Sequence, residues 1–232
     1  MARYTLQRKV KTDWSPNLAY AIGLIASDGN LSSDGRHMSL TSGEEEMMHN
    51  FKNALNLKNI IGKYVGGKEK THKKYFYIHF GDKVFYQFLN TLGLTPAKSR
   101  IIKHVKIPTA YFRDFLRGLF DGDGTFYTFR DGRWPNSFSF KLSIASASID
   151  FIKWLKESLT KHGGVKGYIH KGDGVWNLEY VKGDTKRLFS FMYYSDDILY
   201  LKRKYDKIRI AIEEDNKRGL VYLQKPRNAG VA

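Results

Sequence analysis

Leu116-Arg117-Gly118-Leu119-Phe120-Asp121-Gly122-Asp123-Gly124 is an apolar helix pattern that runs into acids and glycines, and a near-copy stands 95 positions earlier (123 − 28). The earlier copy is Ala21-Ile22-Gly23-Leu24-Ile25-Ala26-Ser27-Asp28-Gly29. A lone Asp-Gly pair is an ordinary turn signal, and Asp121-Gly122-Asp123-Gly124 also looks like the start of a calcium loop. Counted from Asp121, position 12 is Gly132 where that loop requires Glu, so an EF-hand is excluded. A nine-residue string repeated at corresponding places points instead to a duplicated structural unit.

The flanking pattern repeats as well. Ser15-Pro16 is a helix-start signal for a helix over 17–27. A hairpin follows, 30–33 and 37–41, turning at Asp34-Gly35. Met47, Met48, Phe51 and Leu55 stand at helix spacing over 44–55. A second hairpin, 60–66 and 73–80, is joined by the basic connection 67–72. A helix over 83–92 then ends at Gly93, a plausible helix-ending glycine. After the Pro-containing basic join 95–108 the order recurs. A helix runs to Phe120, a longer hairpin spans 125–145 and turns near Asp131-Gly132, and a helix covers 149–161. Another hairpin turns at Asp173-Gly174, helices follow over 185–194 and 202–216, and a basic, loose tail is expected at 217–232. Leu55 and Leu159, Tyr64 and Tyr168, Phe85 and Phe189, and Lys98 and Lys202 are each 104 apart (159 − 55). The nine-residue excess over the motif spacing (104 − 95) lies in the longer first hairpin of the second half. The expected fold class is therefore α+β, two pseudo-symmetric α-β-β-α-β-β-α halves with antiparallel sheets. The expected divisions are an arm 1–16, a first half 17–94, a linker 95–108, a second half 109–216 and the tail.

Composition narrows the partner. The 232 residues are 42% hydrophobic and 15% aromatic, enough for a packed core. Lys and Arg number 39 against 23 Asp and Glu, a formal charge of +16 that suits a polyanion, most simply nucleic acid. No basic amphipathic helix, long apolar run or N-terminal signal stands out, so no membrane partner and no export signal are expected, and an intracellular protein is. The absence of cysteine removes disulfides, thiolate metal sites and cysteine nucleophiles together.

The motif carries chemistry. Ala19, Gly23 and Ser27 fall four apart, as do Gly118 and Gly122, and small residues at that spacing let two helix backbones approach closely. Asp28 and Asp123 end their helices, where the macrodipole already places partial negative charge. If the helices pair in parallel the carboxylates also meet each other, which is unfavourable unless a cation sits there. Hard oxygen ligands suit Mg²⁺ or a similar ion such as Mn²⁺, which can activate a water for phosphodiester displacement.

From 17 to 216 the chain resembles the LAGLIDADG homing endonuclease family in its single-chain, two-motif form. That resemblance implies motif helices at the interface of two α/β halves whose sheets form a DNA-binding saddle. It implies the last motif acids, Asp28 and Asp123, as catalytic metal ligands, with the carbonyls of Ser27 and Gly122 beside them. A lysine is implied near each site: Lys98, and Lys202 with Lys204 as its alternative. Ala26 departs from the pattern, standing where the second copy has Asp121. The resemblance further implies cleavage of double-stranded DNA at a long asymmetric site by a monomer, staggered 3′-overhang ends and intron mobility. A maturase acting on intron RNA and a silent DNA-binding regulator are alternatives on the same fold. DNA would be read by the polar strand faces. In the first half these are Ser32, His37, Ser39, Thr41, Tyr64, Lys68, Lys73, Tyr75 and Tyr77. In the second they are Tyr127, Phe129, Ser139, Lys141, Ser143, Lys166, Tyr168, His170 and Asn177. A slip of one residue would exchange the faces.

Overall fold

The computed structural model describes residues 9–66, 73–130, 132 and 137–224, with side chains to Arg218. Lys68, residues 1–8 of the arm, the 67–72 connection, Asp131 of the expected turn with 133–136, and the end of the tail lie outside the described residues.

The first half runs α1 (Pro16–Ser27), β1 (Gly29–Leu31), β2 (His37–Ser42), α2 (Glu45–Ala54), β3 (Gly62–Gly66), β4 (Lys73–Gly81) and α3 (Lys83–Thr91). The second runs α4 (Phe112–Asp123), β5 (Gly124–Phe129), β6 (Ser139–Ser146), α5 (Ile149–Gly163), β7 (Tyr168–Lys171), β8 (Trp176–Val181) and α6 (Lys182–Met192), and α7 (Lys202–Gln224) closes the chain. Both sheets are antiparallel with the same order, β1-β2-β4-β3 and β5-β6-β8-β7. The expected pair of α-β-β-α-β-β-α units is what the chain builds.

The centre is the seam between α1 and α4. Ser15 caps α1 by accepting from the Leu18 N–H at 3.1 Å, and Pro16 fits a helix's first turn, which needs no N–H. Every residue from Leu18 to Ile25 is buried, as expected for a helix enclosed on all sides. A Cβ on Gly118 would stand 2.0 Å from the Tyr20 carbonyl oxygen, and one on Gly23 would stand 2.2 Å from that of Phe115. Further along, Gly122 lies against Ser27 and Asp28. From Tyr20 and Leu24 against Gly118 to Ser27 and Asp28 against Gly122 the contacts advance in the same direction on both helices, which makes them parallel and brings both C-termini to one end.

The sheets flank this seam. Leu40 opposes Ile78 and Ile144 opposes Leu178, and these apolar positions face helices α2, α3, α5 and α6. Alternate positions therefore point away from the core on both sheets. Several boundaries shift by one to three residues, α6 among them at Lys182–Met192 against the expected 185–194, and two shifts have a clear cause. Helix α4 continues three residues past Phe120, because its last carbonyls find a cationic partner described below. Helix α7 runs through the start of the expected loose tail, passing Gly219, since no proline intervenes until Pro226. No helix among the described residues is long and apolar enough to cross a membrane.

Candidate functional site

Asp28 caps the C-terminus of α1, its N–H donating to the Leu24 carbonyl at 3.0 Å, and Asp123 is the last residue of α4. The parallel seam brings them together. Burial and then the neighbouring Asp28 push the Asp123 carboxyl up to about 6, although one side of it stays open to solvent. Burial also raises Asp28, opposed by the cationic Lys204 and Lys98. Two carboxylates at two helix C-termini repel each other and the helix ends, so the site favours a cation.

Lys98 comes from a 3₁₀ turn, Lys98–Arg100, and is 6% exposed. Its ammonium donates to the Gly29 carbonyl, one residue beyond Asp28. Burial lowers its pKa, while Asp123 and Asp28 hold it up. In the second half the matching position is filled by Lys204. Its ammonium shares its three N–H donors among the carbonyls of Phe120 (2.7 Å), Asp121 (2.7 Å), Gly122 (3.0 Å) and Gly124 (2.6 Å), the last of these one residue beyond Asp123. Those bonds satisfy the carbonyls that end α4. Burial pushes the Lys204 ammonium down to about 8, against the pull of Asp121. Lys202 is not brought to the cluster; it points to solvent and pairs with Asp206 at 2.8 Å. Leu201, Lys204, Ile208 and Ala211 share one helix face, and Leu201, Ile208 and Ala211 are buried. That stripe is the sequence signal that separates Lys204 from Lys202.

Below the carboxylates lies a buried layer that the sequence reading did not anticipate. Asp121 accepts from the Tyr20 hydroxyl at 2.8 Å and from the Leu201 N–H at 2.8 Å, both at Oδ2, and so ties α1, α4 and the start of α7 together. Burial pushes its carboxyl up to about 6, partly offset by the Tyr20 hydrogen bond and by Lys204. Arg117, fully buried, donates to Asp114 (2.8 Å), the Leu199 carbonyl (2.7 Å) and the Met192 carbonyl (2.9 Å). Ala26 gives the first half no counterpart to Asp121.

The donor set fits a hard divalent cation. No cluster of three or more His, Cys, Asp or Glu that could hold a metal occurs among the described residues. Asp28 and Asp123 would supply the charge, and backbone carbonyls, waters or a bound phosphate the remaining oxygens. Of the carbonyl candidates, Gly122 already accepts from Lys204, and the Ser27 hydroxyl turns back onto the Leu24 carbonyl at 3.1 Å.

Polar strand positions occupy the faces turned away from the helices. On the first sheet these include His37, Ser39, Thr41, Lys73, Tyr75 and Tyr77, and Tyr64 stacks on Tyr75 with centroids 5.4 Å apart. Ser32 lies in the β1–β2 turn, its N–H donating to the His37 carbonyl at 2.9 Å. On the second sheet Tyr127, Phe129, Ser139, Lys141, Ser143, Tyr168, His170 and Asn177 share one face. Lys166 precedes β7 and is exposed. Asn30, His79 and Glu179 have the same parity and join these faces, which strict alternation along β1, β4 and β8 would have found.

Residues 111–191 match the family model described as a LAGLIDADG-like domain. No curated protein matches the chain. Among solved structures, the LAGLIDADG homing endonuclease I-GzeII in complex with its DNA target aligns over 91% of this chain and 94% of its own, at 13% identity and a TM-score of 0.59. Full-length DUF199/WhiA from Thermatoga maritima aligns over 90% of this chain at 16% identity and a TM-score of 0.55, and this chain spans 66% of its length. I-DmoI in complex with DNA and Mn covers 79% of this chain and 98% of its own, at 20% identity and a TM-score of 0.50. At these identities the likeness is one of fold. The chain has the LAGLIDADG fold, with a LAGLIDADG-like domain in its second half, and the resemblance read from the duplicated motif is borne out.

Proposed function

We propose that this LAGLIDADG-fold chain is a monomeric, site-specific endonuclease that hydrolyses both strands of duplex DNA at a long asymmetric site and leaves 3′ overhangs. The observation that carries this reading is the meeting of Asp28 and Asp123 at the seam, each with a lysine fixed one residue beyond it, Lys98 buried and Lys204 half-buried. Mg²⁺ or Mn²⁺ held by the two carboxylates would supply activation of the attacking water and neutralisation of the leaving oxygen. Lys98 and Lys204 hold positive charge beside the position of a scissile phosphate without needing to reorganise. The outward sheet faces offer hydroxyl, amide, imidazole and ammonium groups to base edges, and because the halves differ in sequence the preferred site is not a palindrome. A net charge of +16 draws the backbone in.

Asp28→Asn or Asp123→Asn is expected to abolish double-strand cleavage while leaving duplex affinity within a few-fold. The test is a cleavage selection on a randomised duplex library, with Mg²⁺ and with EDTA, for the wild type and the double variant. One long site cut only by the wild type with metal is expected; equal cutting by the double variant would overturn the assignment. A second reading, specific duplex binding without cleavage, is favoured by the Lys204 ammonium on the Gly122 carbonyl, which places an internal cation on a candidate ligand. Enrichment of a bound but uncut site would select it, and no duplex preference at all would turn the search to intron RNA.

A further inference from the structure

Glu179 is the only acidic residue in the eight described strands, and it faces outward on a sheet surface proposed to meet a polyanion. It is 6% exposed. The Tyr127 hydroxyl donates to its Oε1 at 2.8 Å, the Lys141 ammonium to its Oε2 at 3.1 Å and the Tyr168 hydroxyl to the same oxygen. His170 Nε2 lies 3.2 Å from Oε1. A carboxylate has about four lone-pair positions, and all four have neighbours here. Burial alone would raise the Glu179 pKa, but these hydrogen bonds, Tyr168 and Tyr127 foremost, more than offset it and keep it below the usual value. The group is therefore ionised and saturated, with no acceptor left for DNA.

Its effect passes to its partners. An ionised carboxylate can only accept, so both tyrosine hydroxyls must spend their single proton on it; the Lys141 ammonium also bonds the Tyr168 hydroxyl, and what each hydroxyl has left for the outside is lone pair alone. The cluster borders a depression of about 270 Å³ lined by Asp123, Tyr127, Ser143, His170, Asn177 and Glu179, among others, so it sits beside a candidate catalytic carboxylate. Among the described residues the first sheet has no such device: opposite Tyr64 stands Tyr75, whereas opposite Tyr168 stands Glu179.

We propose that Glu179 is a positioning residue for sequence specificity, fixing Tyr127 and Tyr168 as acceptors that read the exocyclic amino group of adenine or cytosine in the major groove. The inference rests on the duplex-DNA reading above. In the major groove adenine and cytosine offer N–H₂ donors, while thymine and guanine offer carbonyl acceptors that would face lone pair to lone pair. Glu179→Gln keeps the shape but introduces an N–H₂ donor, so one tyrosine must accept from it and turn its own proton outward. Preference at that position then moves toward guanine or thymine.

The experiment is a binding selection on a randomised duplex library in EDTA, with the wild type, Glu179→Gln and Tyr168→Phe, each with a thermal melt. The wild type is expected to require adenine or cytosine at one or two positions of one half-site. Glu179→Gln should erode or reverse that discrimination by roughly 5- to 150-fold, with the rest of the site unchanged. Tyr168→Phe, which keeps the carboxylate, should lose a preference at one position. Identical base preferences in wild type and Glu179→Gln, with only the melting temperature altered, would overturn the inference and leave the functional reading standing. If Glu179→Gln does not fold, an unchanged profile for Tyr168→Phe overturns it instead. A wild type that enriches no duplex would remove the functional reading and this inference together.

Discussion

Two lysines two positions apart have opposite fates, and the difference sets a test of the site. Lys204 holds four carbonyls at the end of α4, whereas Lys202 is an exposed partner of Asp206. Lys204→Met is expected to lower the cleavage rate by about 100-fold or more, the usual loss when a preorganised charge is removed. Lys202→Met should stay within about threefold, as measured by single-turnover cleavage at saturating enzyme. Counting the repeat at 104 residues points to Lys202, because it assumes that both lysines enter the site from equivalent backbone. They do not: Lys98 arrives from a 3₁₀ turn behind Ala97, a residue with φ of +55°, and Lys204 from the first turn of a long helix. The carboxyls give a pH test. Asp121 and Asp123 are pushed up to about 6, above the ordinary value of 3.8, and Asp28 is raised as well. A group whose folded pKa exceeds its unfolded one stabilises the fold fully below the unfolded value and withdraws that stability as pH rises through the folded value. The metal-free melting temperature should therefore fall between about pH 4.5 and 7, and Mg²⁺ should diminish that fall by binding the deprotonated pair. A flat or rising melting temperature in EDTA would contradict the crowding of carboxyls at the seam.

At the level of elements, the seam is the most demanding contact in the chain. Gly118→Ala adds a carbon where the Tyr20 carbonyl oxygen would be 2.0 Å away, and a backbone oxygen in a packed helix has little room to give. It should destabilise by at least about 2 kcal/mol despite alanine's better helix propensity. Gly183→Ala in α6 meets nothing within 4 Å and should stabilise by about 0.5 kcal/mol. Chemical denaturation of the two variants checks the contrast. Most elements were legible because their signals are local: Ser15-Pro16 opens α1, and Gly93 and Gly174 take the left-handed backbone that their helix end and turn require. The alternation of Met38, Leu40, Ile78 and Phe80 set the inner faces. What stayed hidden depends on residues far apart in sequence. Asp121 reads as one more motif acid until Tyr20 and Leu201 are seen to meet it, 101 and 80 residues away. Glu179 has the parity of a surface reader, but its sign argues against a place on a DNA-facing sheet until its four neighbours are known.

Over the whole molecule, 39 basic residues against 23 acidic ones should make duplex affinity steeply dependent on salt. If the sheets and the basic join neutralise about 6–10 phosphates, affinity falls by about 10³–10⁵ between about 50 and 200 mM salt. Fluorescence anisotropy across a salt series measures the slope, and a shallow one would argue against a polyanionic partner. The tie from α4 to the end of the chain also bears on the order of events during synthesis. Arg117 waits for the carbonyls of Met192 and Leu199, Asp121 for the amide of Leu201, and the end of α4 for the ammonium of Lys204. A nascent chain that has emerged only as far as α6 has both motif acids and both sheets but lacks the groups that complete its second site. The ribosome must release the chain past Lys204 before that site can close, so any cutting activity waits for α7 and a product interrupted before it is a disarmed one.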